Sequence, residues 1–277
     1  MVPWLEPGTP FPDTRTALTD PDGLLAAGAD LSPETLLRAY SLGIFPWYDA
    51  DYQPILWWSP APRCVIHPRR IHISRSLARH LRRSDFTVTL DRAFESVMRL
   101  CAAPRADGLG TWISEEMINA YVHLHRLGYA HSLEVWQDGQ IAGGIYGIKL
   151  GGVFFGESMV SPRPNGSKVA FAALRALAPT LGIELIDAQV ENPHLHSLGA
   201  ELIDRPAFEG LLKQLVPDAP KAEQWPDTEW DRSLPLDNTP QEPACRRSKP
   251  WPEKRVSQDE AVCIDQDLLF DSATRDS

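Results

Sequence analysis

The spacing of apolar side chains changes along the middle of the chain, and each change predicts a different kind of element. Up to about residue 128, apolar positions recur every three or four residues, as on one face of a helix. Beyond that point, apolar runs separated by turn residues predict strands. Helices are predicted over Ser74–Arg83, Asp91–Cys101, Ser114–Gly128, Ser167–Leu181 and Pro206–Leu215, and strands over His131–Gln137, Gln140–Leu150, Val153–Ser161 and Leu185–Val190.

The two ends of the chain differ from this middle part. The first 60 residues are dense in Pro, Gly and aromatics and contain one clear helix, with Ser32 as N-cap and Pro33 in its first position. They predict a small α/β domain over residues 1–61, followed by a larger domain over 62–217. Residues 218–277 are rich in Pro, Asp, Glu, Ser and Gln without sustained periodicity, which predicts a mostly disordered tail. The alternative is that Trp225 and Trp230 dock on the larger domain and that the tail begins near Arg232.

The element order in the larger domain narrows the fold class. An antiparallel meander followed by helix, strand, helix and strand is typical of an N-acetyltransferase-like (GNAT) fold, within the α+β class. The segment 192–202 resembles the sequence that closes that fold. This pattern indicates a fold and leaves the function open, because one fold carries many activities.

Composition excludes several classes of protein and exposes one unusual stretch. There is no apolar run long enough to cross a membrane and no secretory signal, and the four cysteines are too far apart for a zinc or disulfide motif, so we expect a cytoplasmic chain. The net charge is −10, yet residues 63–83 contain seven arginines and no acid.

Four of those arginines share one face of the predicted helix, at positions i, i+4, i+7 and i+8; they are Arg75, Arg79, Arg82 and Arg83. Arg63, Arg69 and Arg70 extend the basic stretch on its N-terminal side. A one-signed face in an acidic protein suits the phosphates of RNA, and the alternative is an ordinary solvated helix face.

Three polar side chains interrupt the predicted strands. Alternation places Phe155, Glu157 and Met159 on one face, so Glu157 lies between two apolar neighbours. Asp187 and Gln189 are two residues apart and point to one side of their strand. A buried carboxylate is costly without a partner, so these residues are either a site for a cationic substrate or internally paired structural groups.

Two further motifs carry weak signals. The loop 161–168 enters a helix where acetyltransferases bind coenzyme A, but it contains a single Gly. His194 and His196 fall on different faces of a short helix, which favours packing over metal binding. We therefore expect neither a metal nor a cofactor.

Taken together, these stretches resemble the leucyl/phenylalanyl-tRNA–protein transferase family of bacteria. The matching strings are DGLLAAGADLSP (22–33), GIFPW (43–47), ILWWSP (55–60), HISRS (72–76), GTWI (110–113), AHSLEVW (130–136), GGIYG (143–147), FGESM (155–159), LIDAQV (185–190) and SLGA (197–200). They span roughly residues 12–215, and the tail beyond about residue 232 lies outside the resemblance.

The resemblance implies a donor, an acceptor and a set of site residues. It implies transfer of Leu, Phe or Met from aminoacyl-tRNA to proteins that begin with Arg or Lys, which marks them for degradation. The implied aminoacyl pocket comprises Tyr40, Trp47, Trp112, Tyr121, Ile145 and Phe154. The implied acceptor and reaction centre comprises Glu157, Asp187, Gln189 and Asn192, and the implied tRNA face is the four arginines at 75, 79, 82 and 83.

Two positions depart from the family pattern. Ile145 stands where many relatives have Met, and Phe155 stands where a smaller residue is common. Both positions are therefore candidates for setting the preference among Leu, Phe and Met.

The implied chemistry is aminolysis of an activated ester, for which a modest base suffices near neutral pH. Asp187 is expected to orient Gln189 and to raise the nucleophilicity of the amine, either by taking a proton itself or with the ribose hydroxyl as the proton relay. Gln189 is expected to position the carbonyl, and Glu157 to pair with the acceptor's charge. We expect a monomer. The rival functions are a coenzyme A-dependent N-acetyltransferase and an RNA-binding module without enzymatic activity.

Overall fold

A computed structural model describes residues 2–83, 85–103 and 112–230 of the chain. Its strands are β1 Trp4–Leu5, β2 Leu24–Gly28, β3 Phe45–Pro46, β4 Leu56–Trp58, β5 Arg63–Ile66, β6 Thr87–Leu90, β7 Ala130–Gln137, β8 Gln140–Leu150, β9 Val153–Val160, β10 Leu185–Gln189 and β11 Glu201–Ile203. Its α-helices are α1 Pro33–Ser41, α2 Arg75–Arg83, α3 Phe94–Ala102, α4 Glu115–Arg126, α5 Gly166–Leu177, α6 Pro193–Ser197 and α7 Arg205–Leu215.

The N-terminal part forms a four-stranded sheet in the order β1-β2-β4-β3, with α1 beside it. The helix begins where predicted, because the Ser32 side chain accepts a hydrogen bond from the Thr35 amide. Trp57 is fully buried in this unit, and its indole N–H donates to the Gly28 carbonyl at 2.9 Å.

The larger part is a seven-stranded sheet in the order β11-β5-β10-β9-β8-β7-β6. Every neighbouring pair is antiparallel except β9 and β10, which run parallel. Buried side chains of α3, α4 and the N-terminal unit form one core, and those of α2 and α5 form a second. The chain is therefore a mixed α and β protein with a central sheet between two apolar cores.

The predicted helices and strands of the larger part are confirmed within a few residues. Helix α3 is an exception, because it begins at Phe94 rather than at Asp91, which does not cap it. The Asp91 carboxylate instead bonds the His131 ring and the Ser132 amide, each at 2.8 Å. Strands β5 and β6 had no counterpart among the predicted elements.

The start of α5 lies directly against β8. A Cβ atom on Gly143 would come within 2.2 Å of the Gly166 backbone, so only glycine permits this approach. The close contact holds α5 against the sheet beside the end of β9.

The C-terminal docked segment extends beyond residue 217, in keeping with the alternative boundary near Arg232. Residues 218–230 lie on the larger domain, where Trp225 stacks on His131 with ring centroids 4.4 Å apart, and Lys149 pairs with Glu223 at 2.7 Å. Two buried tryptophans, Trp225 and Trp230, account for this docking because their burial removes large apolar surfaces from water. The rest of the predicted tail, 231–277, lies outside the described residues.

None of the helices in the described part of the chain is both long enough and apolar enough to cross a bilayer.

Candidate active site

Glu157 lies at an irregularity in β9. On the neighbouring strand Tyr146 pairs with Ser158 and Gly147 pairs with Gly156, so Glu157 is an extra residue without a partner. Such a bulge redirects the side chains that follow it. The predicted alternation is therefore wrong for Met159, which packs in the α2–α5 core, whereas Phe155 lies in the opposite core.

Glu157 is 9% exposed, and its carboxylate is held by side chains from three separate elements. Gln189 of β10 donates its amide N–H to Oε1 at 2.8 Å, and the Tyr121 hydroxyl of α4 donates to Oε2 at 3.2 Å. The hydroxyl of Tyr40 in α1 bonds that of Tyr121. The N-terminal unit thus reaches the carboxylate through Tyr40, which bonds Tyr121 and also Glu157.

Burial raises the pKa of Glu157 to about 7, because desolvation disfavours the charged carboxylate. The hydrogen bonds from Tyr40, Tyr121 and Gln189 oppose this shift, and the nearby charge of Asp187 adds to it. A carboxylate with a pKa near neutrality can exchange a proton with a substrate amine.

Asp187 is completely buried and forms a two-pronged ion pair with Arg63. Arg63 Nε donates to Oδ1 at 2.8 Å and Nη2 donates to Oδ2 at 2.7 Å. Arg63 is itself 1% exposed, so the expectation that it extends an RNA-binding patch is wrong. Arg63 lies at the start of the apolar strand β5. Its buried charge requires a charged partner, and Asp187 is that partner.

Gln189 has a backbone φ of +61°, in the left-handed region that residues other than glycine seldom adopt. The β10–β5 register shifts between Asp187 and Gln189. The backbone N–H of Gln189 donates a hydrogen bond to Asp187 Oδ1 at 3.0 Å, which supports this bend. The contact between Asp187 and Gln189 therefore runs through the backbone of Gln189, and the side chain of Gln189 bonds Glu157.

The structure divides the six expected pocket residues between the two cores. Tyr40 and Tyr121 are buried in the core shared by the N-terminal unit, and Trp47 and Trp112 pack against that core. Ile145 and Phe154 are buried in the α2–α5 core on the other side of β8 and β9. A single pocket lined by all six is therefore wrong, because Ile145 and Phe154 alternate with inward-facing residues of the opposite core.

Asn192 has a local role at the start of α6. Its side-chain oxygen accepts a hydrogen bond from the Leu195 amide at 2.9 Å, which is an N-cap. His196 pairs with Glu191 at 2.6 Å. Within the described part of the chain, no group of His, Cys, Asp and Glu side chains is arranged to hold a metal ion.

The basic helix α2 presents its arginines as expected. Arg75, Arg79, Arg82 and Arg83 are all exposed, while Leu77 and Leu81 on the other side of the helix are buried.

Comparison with known proteins identifies relatives along most of the chain. Residues 65–213 match the model of the leucyl/phenylalanyl-tRNA protein transferase family, and residues 29–61 match the model of its N-terminal domain. A leucyl/phenylalanyl-tRNA–protein transferase of Alcanivorax borkumensis is 69% identical over 83% of this chain and 96% of its own. A protein of the same description from Nitrosospira multiformis is 52% identical over 81% of this chain and 97% of its own.

Among solved structures, a protein of unknown function from Staphylococcus epidermidis aligns with 65% of this chain and 68% of its own at 11% identity. Its TM-score of 0.34 is too low to assign a fold.

Proposed function

The chain belongs to the leucyl/phenylalanyl-tRNA–protein transferase family, and we propose that it transfers leucine or phenylalanine from tRNA to the N-terminal amine of proteins. Methionine is a third donor residue in this proposal. Acceptors begin with Arg or Lys, and the added residue marks them for degradation. The observation that carries the proposal is the hydrogen bond between Gln189 and the buried carboxylate of Glu157.

The acceptor amine meets Glu157 in this mechanism. A free α-amine has a pKa of about 7.7–8.0, and the pKa of Glu157 is about 7. The ionised carboxylate therefore attracts the cationic acceptor and is suited to take a proton from it. After Glu157 has taken a proton from the ammonium, the neutral amine attacks the ester carbon and forms the new amide bond. The bond between that carbon and the ribose oxygen breaks, and the proton lost by the attacking nitrogen goes to the ribose oxygen, which leaves as the hydroxyl of the tRNA.

Asp187 orients its neighbours in this scheme and does not exchange a proton with substrate. It is completely buried and paired with Arg63, whereas Glu157 keeps 9% of its surface exposed. Gln189 lies between Asp187 and Glu157, where its side-chain amide can position the ester carbonyl. Glu157 thus replaces Asp187 as the group proposed to take the proton, whereas the positioning roles expected of Asp187 and Gln189 are kept in this proposal.

The donor is assigned to both sides of β8 and β9. Tyr40 and Tyr121 bond each other and Glu157 through their hydroxyls, so their side suits the polar end of the tRNA, with Trp47 and Trp112 as stacking surfaces. Ile145 and Phe154 bring no polar side-chain atoms and suit the apolar side chain of Leu or Phe. Asn192 shapes the loop after β10. The exposed arginines at 75, 79, 82 and 83 bind the tRNA backbone.

We also infer a GNAT-like fold for the larger domain, a cytoplasmic location and a monomeric state. The parallel pairing of β9 and β10 within an otherwise antiparallel sheet supports the fold. The buried thiol of Cys64, which needs no disulfide, is consistent with the location.

One assay separates this function from its two rivals. The protein is incubated with leucyl-tRNA and a peptide that begins with Arg, and mass spectrometry is used to detect a Leu-extended peptide. Acetyl-coenzyme A replaces leucyl-tRNA in a parallel reaction. Leu extension supports the proposal, acetylation would identify an N-acetyltransferase, and tRNA binding without either product would identify an RNA-binding module.

A further inference from the structure

Arg63 is the buried cation of the site, and its surroundings fix its orientation. The guanidinium carbon lies 4.9 Å from the ring centroid of Phe45 and 4.7 Å from that of Phe208. Phe45 belongs to β3 of the N-terminal unit and Phe208 to α7. Contacts of this kind favour a cation against an aromatic face, so two distant elements hold Arg63 in place.

The hydrogen bonds of Arg63 converge on one partner. Nε and Nη2 bind the two oxygens of Asp187, while Nη1 has no hydrogen-bond partner among the described residues. A planar guanidinium that binds both oxygens of a carboxylate sets its rotation as well as its position.

The orientation of Asp187 determines the backbone conformation of Gln189. Asp187 Oδ1 accepts one hydrogen bond from Arg63 Nε and another from the backbone N–H of Gln189. The second bond stabilises the left-handed backbone at Gln189. That backbone in turn brings the Gln189 side chain to Glu157.

We propose that Arg63 is a positioning residue of the transferase, which aligns Gln189 with Glu157 through its two hydrogen bonds to Asp187. This inference rests on the proposed function for its kinetic consequence, and on the contacts alone for its structural one. Arg63 touches no substrate in this scheme. Its loss therefore slows the chemical step and leaves substrate binding unchanged.

Arg63→Lys tests the geometry while keeping the charge, since a lysine ammonium cannot bind both oxygens in the same plane. A misplacement of about 1 Å in an active site can cost about 10²-fold in rate. We expect kcat for leucyl transfer to fall by about 10- to 100-fold. KM for leucyl-tRNA and for the acceptor peptide should stay within about twofold.

The matched control is Arg205→Gln. Arg205 also joins the larger domain to the N-terminal unit, through hydrogen bonds to Ser59 at 2.8 Å and 2.7 Å, but it does not bind Asp187. It should therefore retain kcat. An equal loss of kcat in both variants would show that Arg63 acts only by joining the two units, and would overturn the proposal.

A double-mutant cycle tests the route through Gln189. If Arg63 acts by placing Gln189, Arg63→Lys should add little to the loss already caused by Gln189→Ala. Losses that multiply in the double variant would contradict this route.

Side-chain NMR tests the placement independently of activity. The amide resonance of Gln189, assigned by its absence in Gln189→Ala, should report the hydrogen bond to Glu157 in the wild type and in Arg205→Gln. Its shift should move toward that of a free side-chain amide in Arg63→Lys. An unchanged resonance in Arg63→Lys would overturn the proposal, whereas a wild type that lacks transfer activity but shows this pattern would remove only the proposed function.

Discussion

Two sets of arginines come from one short stretch of sequence and have opposite environments. Arg63 is buried at the start of β5 and pairs with Asp187, whereas the arginines of α2 at 75, 79, 82 and 83 are exposed. The same positive charge therefore has a different role in each environment. A buried arginine organises the groups around it, and a set of exposed arginines creates a field that attracts phosphate.

The largest difference between the two sets should appear in stability. Arg63→Met leaves the carboxylate of Asp187 buried without its partner, which should lower the free energy of unfolding by about 3–5 kcal/mol. Arg79→Met removes an exposed charge and should change it by less than about 0.5 kcal/mol. Urea unfolding of the two variants measures these changes. Similar losses of free energy of unfolding would contradict the distinction between the buried and the exposed arginines.

Asp187→Asn should separate structure from catalysis at the buried pair. The substitution preserves size but removes the charge that answers Arg63, so we expect kcat to fall by about 10²–10³-fold, with both KM values nearly unchanged. Steady-state transfer kinetics measure the effect. Asp138→Asn is the control, because its carboxylate pairs with Arg163 at the surface. A raised acceptor KM with normal kcat would place Asp187 in binding.

The buried carboxylate of Glu157 should make the free energy of unfolding depend on pH. Glu157 has a pKa of about 7 in the folded chain and about 4.5 as an ordinary carboxyl. Between these values the folded state binds more protons than the unfolded state, so stability falls as pH rises from about 4.5 to about 7. The loss approaches about 3 kcal/mol above that window.

Glu157→Gln removes this titration. Relative to the wild type, the variant should be more stable at pH 8 than at pH 5, as measured by urea unfolding at both values. The rise of kcat with pH near 7 should also flatten in the variant. If the difference in free energy of unfolding between wild type and variant were the same at both pH values, the raised pKa of Glu157 would be contradicted.

Replacing the four arginines of α2 with Ala should have the smallest effect on the fold. Tight binding of tRNA should be lost for every tRNA alike, and the slope of log affinity against log salt should decrease by up to about 3. Stability should change little, because all four side chains are exposed. Arg99→Ala is the control, since Arg99 is exposed but paired with Glu95 and Glu115. Unchanged salt dependence would remove α2 from tRNA binding.

The sequence predicts the elements around the site better than the contacts within it. Helices α1 and α4 have local signals, since Ser32 caps α1 as expected and Ser114 caps α4 at the start of its predicted range. Such signals depend on neighbours only a few residues away. The Arg63–Asp187 pair joins residues 124 positions apart, and nothing in the periodicity of either segment specifies that contact.

A bulge and a bend explain the other differences. The unpaired position of Glu157 in β9 reverses the side of Met159, and the left-handed backbone of Gln189 directs its side chain to Glu157. Both depend on how the strands meet, which alternation along one strand does not encode. The apolar run after Arg63 was the available signal for its burial, because a charge beside such a run requires a partner.

The most direct test of the account compares the two regions in one measurement. Single-turnover transfer from leucyl-tRNA to a peptide that begins with Arg is followed at increasing protein concentration, for Gln189→Ala and for the fourfold Arg→Ala variant of α2. Gln189→Ala should remain slow at saturation, because the chemical step is impaired. The α2 variant should reach the wild-type rate once tRNA is bound. A Gln189→Ala rate that recovers at saturation, together with an α2 variant that does not, would contradict the account.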